Sequence, residues 1–496
     1  MKSFSQPIST IRDNSSEINP YCRVIAVDLD GTLVLTDTLH ESILLVFKQR
    51  ISLIILFPIW IFKGKAAFKS KVAESVILNV ILLPYNTKLI DWLIKQRANG
   101  KKIILTTAAN QCIANSVAEH VGLFDEIIAS DGITNNASSN KSQLLDELFG
   151  QNCWDYAGNS KADLTVWKAA NSAIVVNAKA AVLQKAQQQG NVRLVLPETK
   201  VTALDWLKVI RLYQWLKNIL LFIPLLAAHQ VGNLEALSTL VAAFFAFSFC
   251  ASAVYIANDL LDLDSDRQHP RKRHRPFASG IVPVHIGFIL APALALLSLV
   301  LALWVGHAFT AWLVFYFAVT TAYTLWLKKL VLVDCLTLAG LYTIRIIAGA
   351  AAVSVKLSFW LLAFSVFIFL SLAFVKRFAE LQAQADVGSN TAHGRGYFVS
   401  DQSLIQTLGV TAGYAAVLVL ALYLHSDSVL NLYAQPELIW LAVPLMLFWV
   451  SWIWLKAHRG EMHDDPIVFT VKDKASLLVA TLVLLSFILA SKGFVN

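Results

Sequence analysis

Charged residues are scarce in this sequence of 496 residues. Asp, Glu, Lys and Arg make up 15% of it, whereas 56% of the residues are hydrophobic. A soluble globular protein usually has about 25% charged residues, so the composition excludes a wholly soluble chain and indicates that much of it faces lipid. The net charge of +8 is typical of a membrane protein whose basic residues lie in cytoplasmic loops.

Cysteine is also scarce, because the chain has five and they show no CxxC pair or metal-binding spacing. This excludes a disulfide scaffold and indicates reduced thiols in a cytoplasm-facing protein. The first twenty residues lack an apolar core, so we expect a disordered tail there and no cleavable signal peptide. Basic residues occur in short groups between hydrophobic spans, which argues against a nucleic-acid partner.

Short apolar runs alternate with helical patterns between residues 21 and 196. The runs that predict buried strands are RVIAVDLDG, KKIILTTA, DEIIASDG, WDYAGN, SAIVVNA and RLVLP. Segments such as NTKLIDWLIKQRANG and SNKSQLLDELFG predict the helices between them. Alternating strands and helices predict a doubly wound, Rossmann-like α/β domain.

From residue 200 to 496 the pattern changes to nine apolar spans, each close to the roughly 20 residues that cross a bilayer. Loops rich in Lys and Arg alternate with loops that have almost none. The positive-inside rule therefore places the N-terminal domain and four basic loops in the cytoplasm, and the C-terminus on the other side of the inner membrane. The predicted spans centre on residues 209–228, 237–257, 283–304, 308–326, 332–353, 357–375, 403–424, 437–455 and 475–491.

The loop after the second span, NDLLDLDSDRQHPRKRHRPFASG, combines acidic and basic groups. If the helix continues through it, Asp259, Asp262 and Asp266 lie on one helical face at i, i+3 and i+7. Carboxylates that close repel one another unless a cation lies between them, and oxygen ligands suit Mg²⁺. The basic run that follows suits phosphate groups. A merely acidic helix end and a topogenic basic loop are the alternatives.

Asn258, Asp259, Asp262 and Asp266 form a pattern that resembles the first aspartate-rich motif of the UbiA prenyltransferase superfamily, whose nine-helix fold matches the span count. Where that family usually has a second aspartate-rich motif, this chain has LAFVKRFAELQAQADVGSN, without a spaced aspartate pair. RLYQWLKN, DRQHPRKRHRPFASG, YTLWLKK, VDCLTLAGLYTIRIIAGA, FVKR and RGEMHDDP are similar to motifs of its decaprenyl-phosphate phosphoribosyltransferase branch.

This resemblance implies transfer of a 5-phosphoribosyl group from phosphoribosyl diphosphate to polyprenyl (decaprenyl) phosphate at the cytoplasmic face, for cell-wall biosynthesis. Asp259 and Asp262 would be catalytic and would hold Mg²⁺ with Asp266 and Asn258. The lipid phosphate is already an anion, so no general base is needed. The residues expected to bind phosphates or substrate are Lys217, Asn218, Arg267, Lys272, Arg273, Arg275, Tyr323, Lys328, Arg345, Lys376 and Arg377. Among them, Lys217, Arg275 and Arg345 are assigned to the donor, and Lys328, Lys376 and Arg377 to the lipid.

The N-terminal domain has a motif of its own in VIAVDLDGT, an apolar strand that ends in two aspartates pointing the same way. It resembles motif I of the haloacid dehalogenase (HAD) superfamily, over about residues 21–195 and with a helical cap at about 33–100. The resemblance implies a phosphatase in which Asp28 is the nucleophile. Asp30 would be the general acid/base, and both aspartates would be metal ligands.

Later HAD motifs also have counterparts here. Thr107, with Thr106 as the alternative, fits motif II, Lys141 fits motif III, and Asp163 fits motif IV, all as substrate-binding positions. Asn159 stands where motif IV usually opens with aspartate. Its amide oxygen can still bind Mg²⁺ but supplies no charge, so a working phosphatase, a slow one and a binding module all stay open. An active domain could remove the 5-phosphate from the phosphoribosyl lipid.

Two further points are left open by the sequence. The apolar core Ile51–Phe62, in an insertion with basic flanks, is too short to span a bilayer, which favours a cap helix in the membrane surface over a cap buried in its own domain. The alternative functions are a prenyltransferase that joins a prenyl diphosphate to an aromatic acceptor, with a non-catalytic HAD module, and a transporter or lipid carrier. The oligomeric state is not predicted.

Overall fold

The computed structural model describes residues 22–131, 138–230, 232–385, 396–426, 433–462 and 465–492. The predicted tail of the first twenty residues and the last four residues lie outside the described part. The chain forms two compact units. The first comprises the chain up to Val209 together with Ile256–Leu290, and the second comprises Ile210–Tyr255 together with the chain from Ala291 onward. The aspartate-rich loop therefore groups with the N-terminal domain.

Six parallel strands form the sheet of the first unit. Their bounds are β1 Val24–Val27, β2 Lys102–Asn110, β3 Glu126–Ser130, β4 Trp154–Gly158, β5 Ser172–Val176 and β6 Val192–Leu196. The strand order is β3-β2-β1-β4-β5-β6, and every neighbouring pair is parallel. This order confirms the predicted doubly wound fold and all six predicted strands. In such sheets a ligand binds at the carboxyl ends of the strands where the order reverses, which here is between β1 and β4.

Helices cover both faces of this sheet. Ile25 and Ile103 contribute to the apolar core on one face, whereas Ala26, Ile104 and Trp154 contribute to the core on the other. Burial on both faces explains the continuous apolar runs in the sequence. The helices are α1 Thr38–Gln49, α2 Phe57–Phe62, α3 Lys65–Ser75, α4 Thr87–Ala98, α5 Gln111–Val121, α6 Ser139–Phe149, α7 Asp163–Ala169 and α8 Ala180–Gln188.

The predicted cap helix over Ile51–Phe62 is divided into two pieces. A 3₁₀ helix covers Ile51–Leu56, and α2 begins at Phe57. Pro58 lies in the first turn of α2, where its missing N–H is tolerated and its fixed φ favours a new helix start.

Eight helices in the described part of the chain are long and apolar enough to cross a membrane, and a ninth span results if one bent pair counts as one. The bent pair consists of α9, Ala203–Val209, and the stretch Leu212–Ala227, which ends in α10, Ile223–Ala227, with an angle of 56° between the two arms. The eight are α11 Leu234–Leu261, α13 Val284–Val305, α14 His307–Leu325, α15 Val333–Ala352, α16 Phe359–Ala385, α17 Gln402–Tyr423, α18 Ala442–His458 and α19 Lys474–Lys492. The predicted multi-pass helical bundle is confirmed.

The helix through the aspartate-rich motif is not continuous, contrary to the prediction. It ends at Leu261, and a short helix, α12, covers Leu263–Gln268. Asp262 between them has φ −93° and ψ 12°, outside the helical region. The N–H of Asp262 still donates to the Asn258 carbonyl at 2.9 Å, and the N–H of Asp266 donates to the Asp262 carbonyl at 2.8 Å. The break therefore keeps the i to i−4 hydrogen bonds of a helix on both sides of Asp262.

Close backbone packing in the second unit depends on one glycine of α15. A Cβ added at Gly349 would lie 2.1 Å from the carbonyl oxygen of Leu221. Gly340 on the same helix has no such neighbour within 4 Å. Small residues allow membrane helices to approach this closely.

We expect Gly349→Ala to destabilise the protein by about 1–3 kcal/mol, because the backbone around Leu221 must move to admit the methyl group. The matched control Gly340→Ala should leave stability unchanged or raise it slightly, since alanine favours the helix. Thermal unfolding in detergent measures both. Equal melting temperatures for the two variants would contradict this account of the packing.

Candidate active sites

The carboxyl end of β1 carries the two aspartates of the HAD-like motif. The Lys141 ammonium group lies 2.8 Å from Asp28 Oδ1. Asp30 Oδ1 accepts a hydrogen bond of 2.8 Å from the backbone N–H of Thr38, the first residue of α1. Gly31 has a φ of +74°, and a Cβ there would lie 2.0 Å from Asn159 Nδ2, so only glycine fits this turn. The structure thus brings motif I together with the lysine and the asparagine of motifs III and IV.

Tyr156 on β4 connects these groups and was not singled out by the sequence analysis. Its hydroxyl accepts a hydrogen bond of 2.8 Å from Lys141 Nζ and donates one of 2.8 Å to Asp163 Oδ1. Asp163 Oδ2 accepts from the backbone N–H groups of Asn159 and Ser160 at 3.1 and 2.8 Å. Asp163 therefore holds the tyrosine and the motif IV loop in place, rather than facing a substrate as predicted. A tyrosine two residues before the strand-end Gly158 was the available clue.

The pKa values of both aspartates in the HAD-like motif are raised. Burial raises the pKa of Asp28 to about 6 although Lys141 opposes the shift. Burial and the nearby Asp37 carboxylate raise the pKa of Asp30 to about 7. Two desolvated carboxyl groups with an amide beside them, from Asn159, form a donor set that fits a divalent cation of the Mg²⁺ type.

The two threonines at the end of β2 are both buried. Thr107 Oγ1 accepts a hydrogen bond of 3.0 Å from the N–H of Ala109. Thr106 Oγ1 is buried and has no hydrogen-bond partner in the part of the chain that the structure describes. Both threonines stay candidates for motif II.

Arg275 joins two aspartates of the aspartate-rich motif. Its Nη1 lies 2.9 Å from Asp259 Oδ1 and 2.5 Å from Asp266 Oδ2, and both aspartates are buried. Asp266 Oδ1 is buried without a hydrogen bond, and the ammonium group of Lys272 is 3.9 Å from it. Burial raises the pKa of Asp266 although Arg275 opposes the shift. The carboxylates of Asp259 and Asp266 converge on Arg275, and one buried oxygen of Asp266 has no hydrogen bond among the described residues. This set of oxygen ligands fits a divalent metal.

The predicted cage of three carboxylates is not formed. Over the described ranges, no three His, Cys, Asp or Glu side chains are grouped closely enough to hold a metal ion. Bound phosphate oxygens would have to complete a metal site here.

Two arginines of the basic loop have other partners than predicted. Arg267 donates to both carboxylate oxygens of Glu41 on α1, at 2.6 and 3.2 Å, and both side chains are nearly inaccessible. Arg267 is therefore engaged by a protein carboxylate instead of a substrate phosphate. Glu41 was missed because nothing local in the sequence links it to this loop. Arg273 is exposed, and its Nε lies 3.4 Å from His274 Nε2.

A basic cluster lies inside the second unit, and we define it as Lys217, Arg345 and Lys376 with Asp465 and Tyr342. Lys217 Nζ and Lys376 Nζ lie 2.7 and 3.3 Å from the same oxygen, Asp465 Oδ2. The Tyr342 hydroxyl is 3.4 Å from Asp465 Oδ1. Burial alone would raise the pKa of Asp465, but the two ammonium groups outweigh it and hold the pKa well below its usual range. Asp465 belongs to RGEMHDDP, a segment to which no site residue was assigned.

Arg345 is the third cation of the basic cluster and has neutral partners. Its Nε donates to Asn218 Oδ1 and its Nη2 to the Tyr316 hydroxyl, each at 2.9 Å, and its Nη1 donates to the Leu341 carbonyl at 2.5 Å. No carboxylate lies within ion-pair distance of it among the described residues. Asn218 also donates to Ser248 Oγ at 2.9 Å, so this predicted substrate ligand orients Arg345. A buried guanidinium without a counter-charge favours a bound anion.

Arg377 differs from its predicted role at the lipid phosphate. It is fully buried and forms ion pairs with Asp334 and Glu380, and it lies over the Tyr397 ring at 5.3 Å. Two carboxylates already compensate its charge, so it serves the fold. The two remaining predicted residues, both half-buried, are Tyr323 and Lys328.

Comparison with known proteins identifies the family of the second half of the chain. The sequence profile of the UbiA prenyltransferase family matches residues 219–472. The chain belongs to the UbiA prenyltransferase family. It is 36% identical to the uncharacterized protein y4nM from Sinorhizobium fredii, over 93% of this chain and 90% of that protein. This similarity extends across both halves, so the fusion also occurs in that relative.

Two other relatives match only the membrane half of this UbiA-family protein. Nodulation protein NoeC from Azorhizobium caulinodans is 36% identical, over 56% of this chain and 91% of that protein. The decaprenyl-phosphate phosphoribosyltransferase of Mycolicibacterium smegmatis is 33% identical, over 56% of this chain and 89% of that protein. The expected family and its phosphoribosyltransferase-like branch are confirmed. The protein is thus a multi-pass membrane transferase fused to an α/β domain with a doubly wound parallel sheet.

We expect Asp465→Asn to destabilise the protein by about 3–5 kcal/mol, because two buried ammonium groups lose their counter-charge. Inorganic phosphate should raise the melting temperature of this variant more than that of the wild type, by replacing the lost charge. The control is Asp473→Asn, since Asp473 accepts hydrogen bonds from the Ser476 N–H and from Trp452 Nε1 and asparagine can accept them too. A phosphate effect of equal size in all three proteins would contradict the anion site.

Proposed function

We propose that this UbiA-family protein transfers a 5-phosphoribosyl group from phosphoribosyl diphosphate to a polyprenyl phosphate, and that its HAD-like domain then removes the 5-phosphate. The relatives named decaprenyl-phosphate phosphoribosyltransferase support the choice of substrates. The products would be diphosphate, inorganic phosphate and a polyprenyl-phosphoryl ribose. Such a lipid would form at the cytoplasmic face of the inner membrane and would be a precursor of pentose donors for the cell envelope.

The basic cluster is the observation that carries this proposal. Lys217 and Lys376 share the carboxylate of Asp465, and Arg345 adds a third positive charge whose hydrogen-bond partners are neutral. A site with excess buried positive charge favours anionic substrates. Transfer to a polyprenyl phosphate needs cations for the acceptor as well as for the donor, whereas an aromatic acceptor does not.

The aspartate-rich loop would hold the donor's diphosphate. Mg²⁺, when bound, would neutralise the charge that develops on the leaving diphosphate. Asp259 and Asp266 would hold the ion, with Asn258 and Asp262 as supporting ligands. Arg275, which bridges the first two carboxylates, would then be available to a phosphate oxygen.

In the transfer step, the bond between the anomeric carbon and the diphosphate oxygen breaks, and a lipid phosphate oxygen bonds to that carbon. The charge-bearing residues stabilise both anions, and no proton has to be removed from the acceptor. Lys376 would orient the lipid phosphate, and Lys217 and Arg345 would orient the donor. We assign Arg377 a structural role instead of its predicted place at the lipid phosphate, since it is fully buried and pairs with both Asp334 and Glu380.

In the HAD-like site, an Asp28 oxygen would attack the phosphorus of the 5-phosphate. The bond to the sugar oxygen breaks, and Asp30 gives that oxygen a proton. Water, deprotonated by Asp30, then attacks the aspartyl phosphate, which releases inorganic phosphate and restores Asp28. Lys141 would stabilise the transferred phosphoryl group, and Tyr156 keeps the lysine in position.

Radiolabelled phosphoribosyl diphosphate and polyprenyl phosphate, offered with and without Mg²⁺, test the transfer. We expect labelled lipid only with the metal, and a loss of about 10²-fold or more in Asp259→Asn, because the leaving group loses its charge stabilisation. Asp264→Asn on the same loop is the matched control and should keep its activity. Product formation from a prenyl diphosphate and an aromatic acceptor instead would favour the alternative transferase.

Release of inorganic phosphate from purified phosphoribosyl lipid tests the HAD-like domain separately. We expect the wild type to release it and Asp28→Asn to lose the activity, since the amide cannot form the aspartyl phosphate. Transfer activity should be the same in both proteins. If the wild type and the variant release phosphate equally, the domain is not a phosphatase for this lipid.

A further inference from the structure

The apolar segment Ile51–Phe62, in the cap of the HAD-like domain, presents an uncovered hydrophobic face. Its inner side chains, Leu53, Ile54, Phe57 and Trp60, pack with a small core of α1 and α3. On its outer side, Ile55 is 79% exposed and Phe62 is 92% exposed. Neighbouring outer residues that are also exposed are Ile51, Leu56, Ile59 and Ile61. A contiguous apolar face of this size marks a binding surface or a membrane contact.

The position of α1 shows what adjoins this face. His40 on α1 packs against His285 at 5.0 Å between ring centroids, and Phe47 packs against Phe288 at 5.9 Å. Both partners belong to α13, a membrane-spanning helix. Since Phe288 follows His285 by about 4.5 Å along the helix, α1 and the start of α13 run in the same direction within the first unit. The apolar segment follows directly after α1, beyond the contact between Phe47 and Phe288.

Two polar contacts fix α1 in this position. The Glu41 carboxylate holds Arg267 in a two-point ion pair, and Arg267 Nε also donates to the Ala278 carbonyl at 3.2 Å. Thr36 donates its hydroxyl to Glu41 at 2.8 Å. The ion pair is buried, so separating α1 from the loop would leave an uncompensated charge.

The charges around the segment have one sign. No Asp or Glu occurs between Glu41 and Glu74, while Lys48 and Arg50 precede the segment and Lys63 follows it. These three side chains are exposed. An apolar face with basic flanks complements the anionic headgroups and acyl chains of a bilayer surface.

The same cap is joined at both ends to the catalytic edge of the HAD-like sheet. The first residue of α1, Thr38, donates its N–H to Asp30. On α3, Lys69 Nζ donates to the carbonyl of Ala108 at 2.9 Å, next to Thr107 on β2. A cap that borders the active site and also contacts lipid would admit a substrate whose tail stays in the membrane.

We propose that the segment Ile51–Phe62 lies in the interfacial layer of the bilayer that the spans cross, and that the HAD-like site takes a phosphomonoester carried by a membrane lipid. The lipid-linked substrate rests on the phosphatase activity proposed above. The membrane contact of the segment Ile51–Phe62 does not depend on that activity.

Fluorescence quenching of the full-length protein in phosphatidylcholine and phosphatidylglycerol nanodiscs tests the placement. A thiol-reactive dye is attached at Ile55→Cys, with the exposed Cys112 and Cys153 replaced by serine. We expect strong quenching by nitroxide-labelled lipid and weak quenching by aqueous iodide. The control is Ile94→Cys on α4, also exposed, which should show the reverse. An Ile55 label that behaves like the Ile94 label, or that is shielded only by a second copy of the chain, would overturn the proposal.

Hydrolysis assays test the choice of substrate. We expect Ile55→Lys with Phe62→Lys to slow hydrolysis of the phosphoribosyl lipid at least about tenfold, because burial of one such side chain is worth at least that factor. Hydrolysis of p-nitrophenyl phosphate should be unchanged, and the control Ile94→Lys should affect neither substrate. An equal loss of hydrolysis rate on both substrates would overturn the proposal that the substrate is lipid-linked. A wild type that hydrolyses neither would refute the phosphatase and leave the quenching result to decide the membrane contact.

Discussion

Compensation of buried charge is the constraint on which the rest of this structure depends. A cation inside an apolar helical bundle is costly unless a counter-charge or hydrogen bonds meet it. Arg377 meets two carboxylates and becomes part of the fold. Arg345 meets only neutral groups in the described part of the chain and keeps its charge. Arg377 thus forms structural ion pairs, whereas the uncompensated charge of Arg345 favours the binding of an anion.

The same constraint organises the first unit, where carboxylates are the buried groups. Lys141 compensates Asp28, and Arg275 compensates Asp259 and Asp266 together. Each of these cations neutralises carboxylates that the proposed reactions assign to metal binding or catalysis. Glu41 and Arg267 form a buried ion pair that joins α1 to the basic loop.

In the proposed reaction sequence, the two fused folds would act on the two ends of one phosphoribosyl group. A transferase that creates a phosphorylated, lipid-linked sugar leaves a phosphomonoester at the membrane surface. In our proposal, a phosphatase domain whose cap contacts lipid would reach such a group without extracting the lipid. The relative from Sinorhizobium fredii aligns over both halves, which is consistent with a combination that works as one protein.

Sequence alone determined the properties that are local. Hydrophobic period and run length predicted the six strands and the membrane helices, because each depends on residues close in the chain. Motif spacing located Asp28, Asp30, Asp259 and Asp266 for the same reason. The tertiary structure decided which charges are already paired. Glu41 lies 226 residues from Arg267, and Lys217 lies 248 residues from Asp465, so no local pattern could connect them.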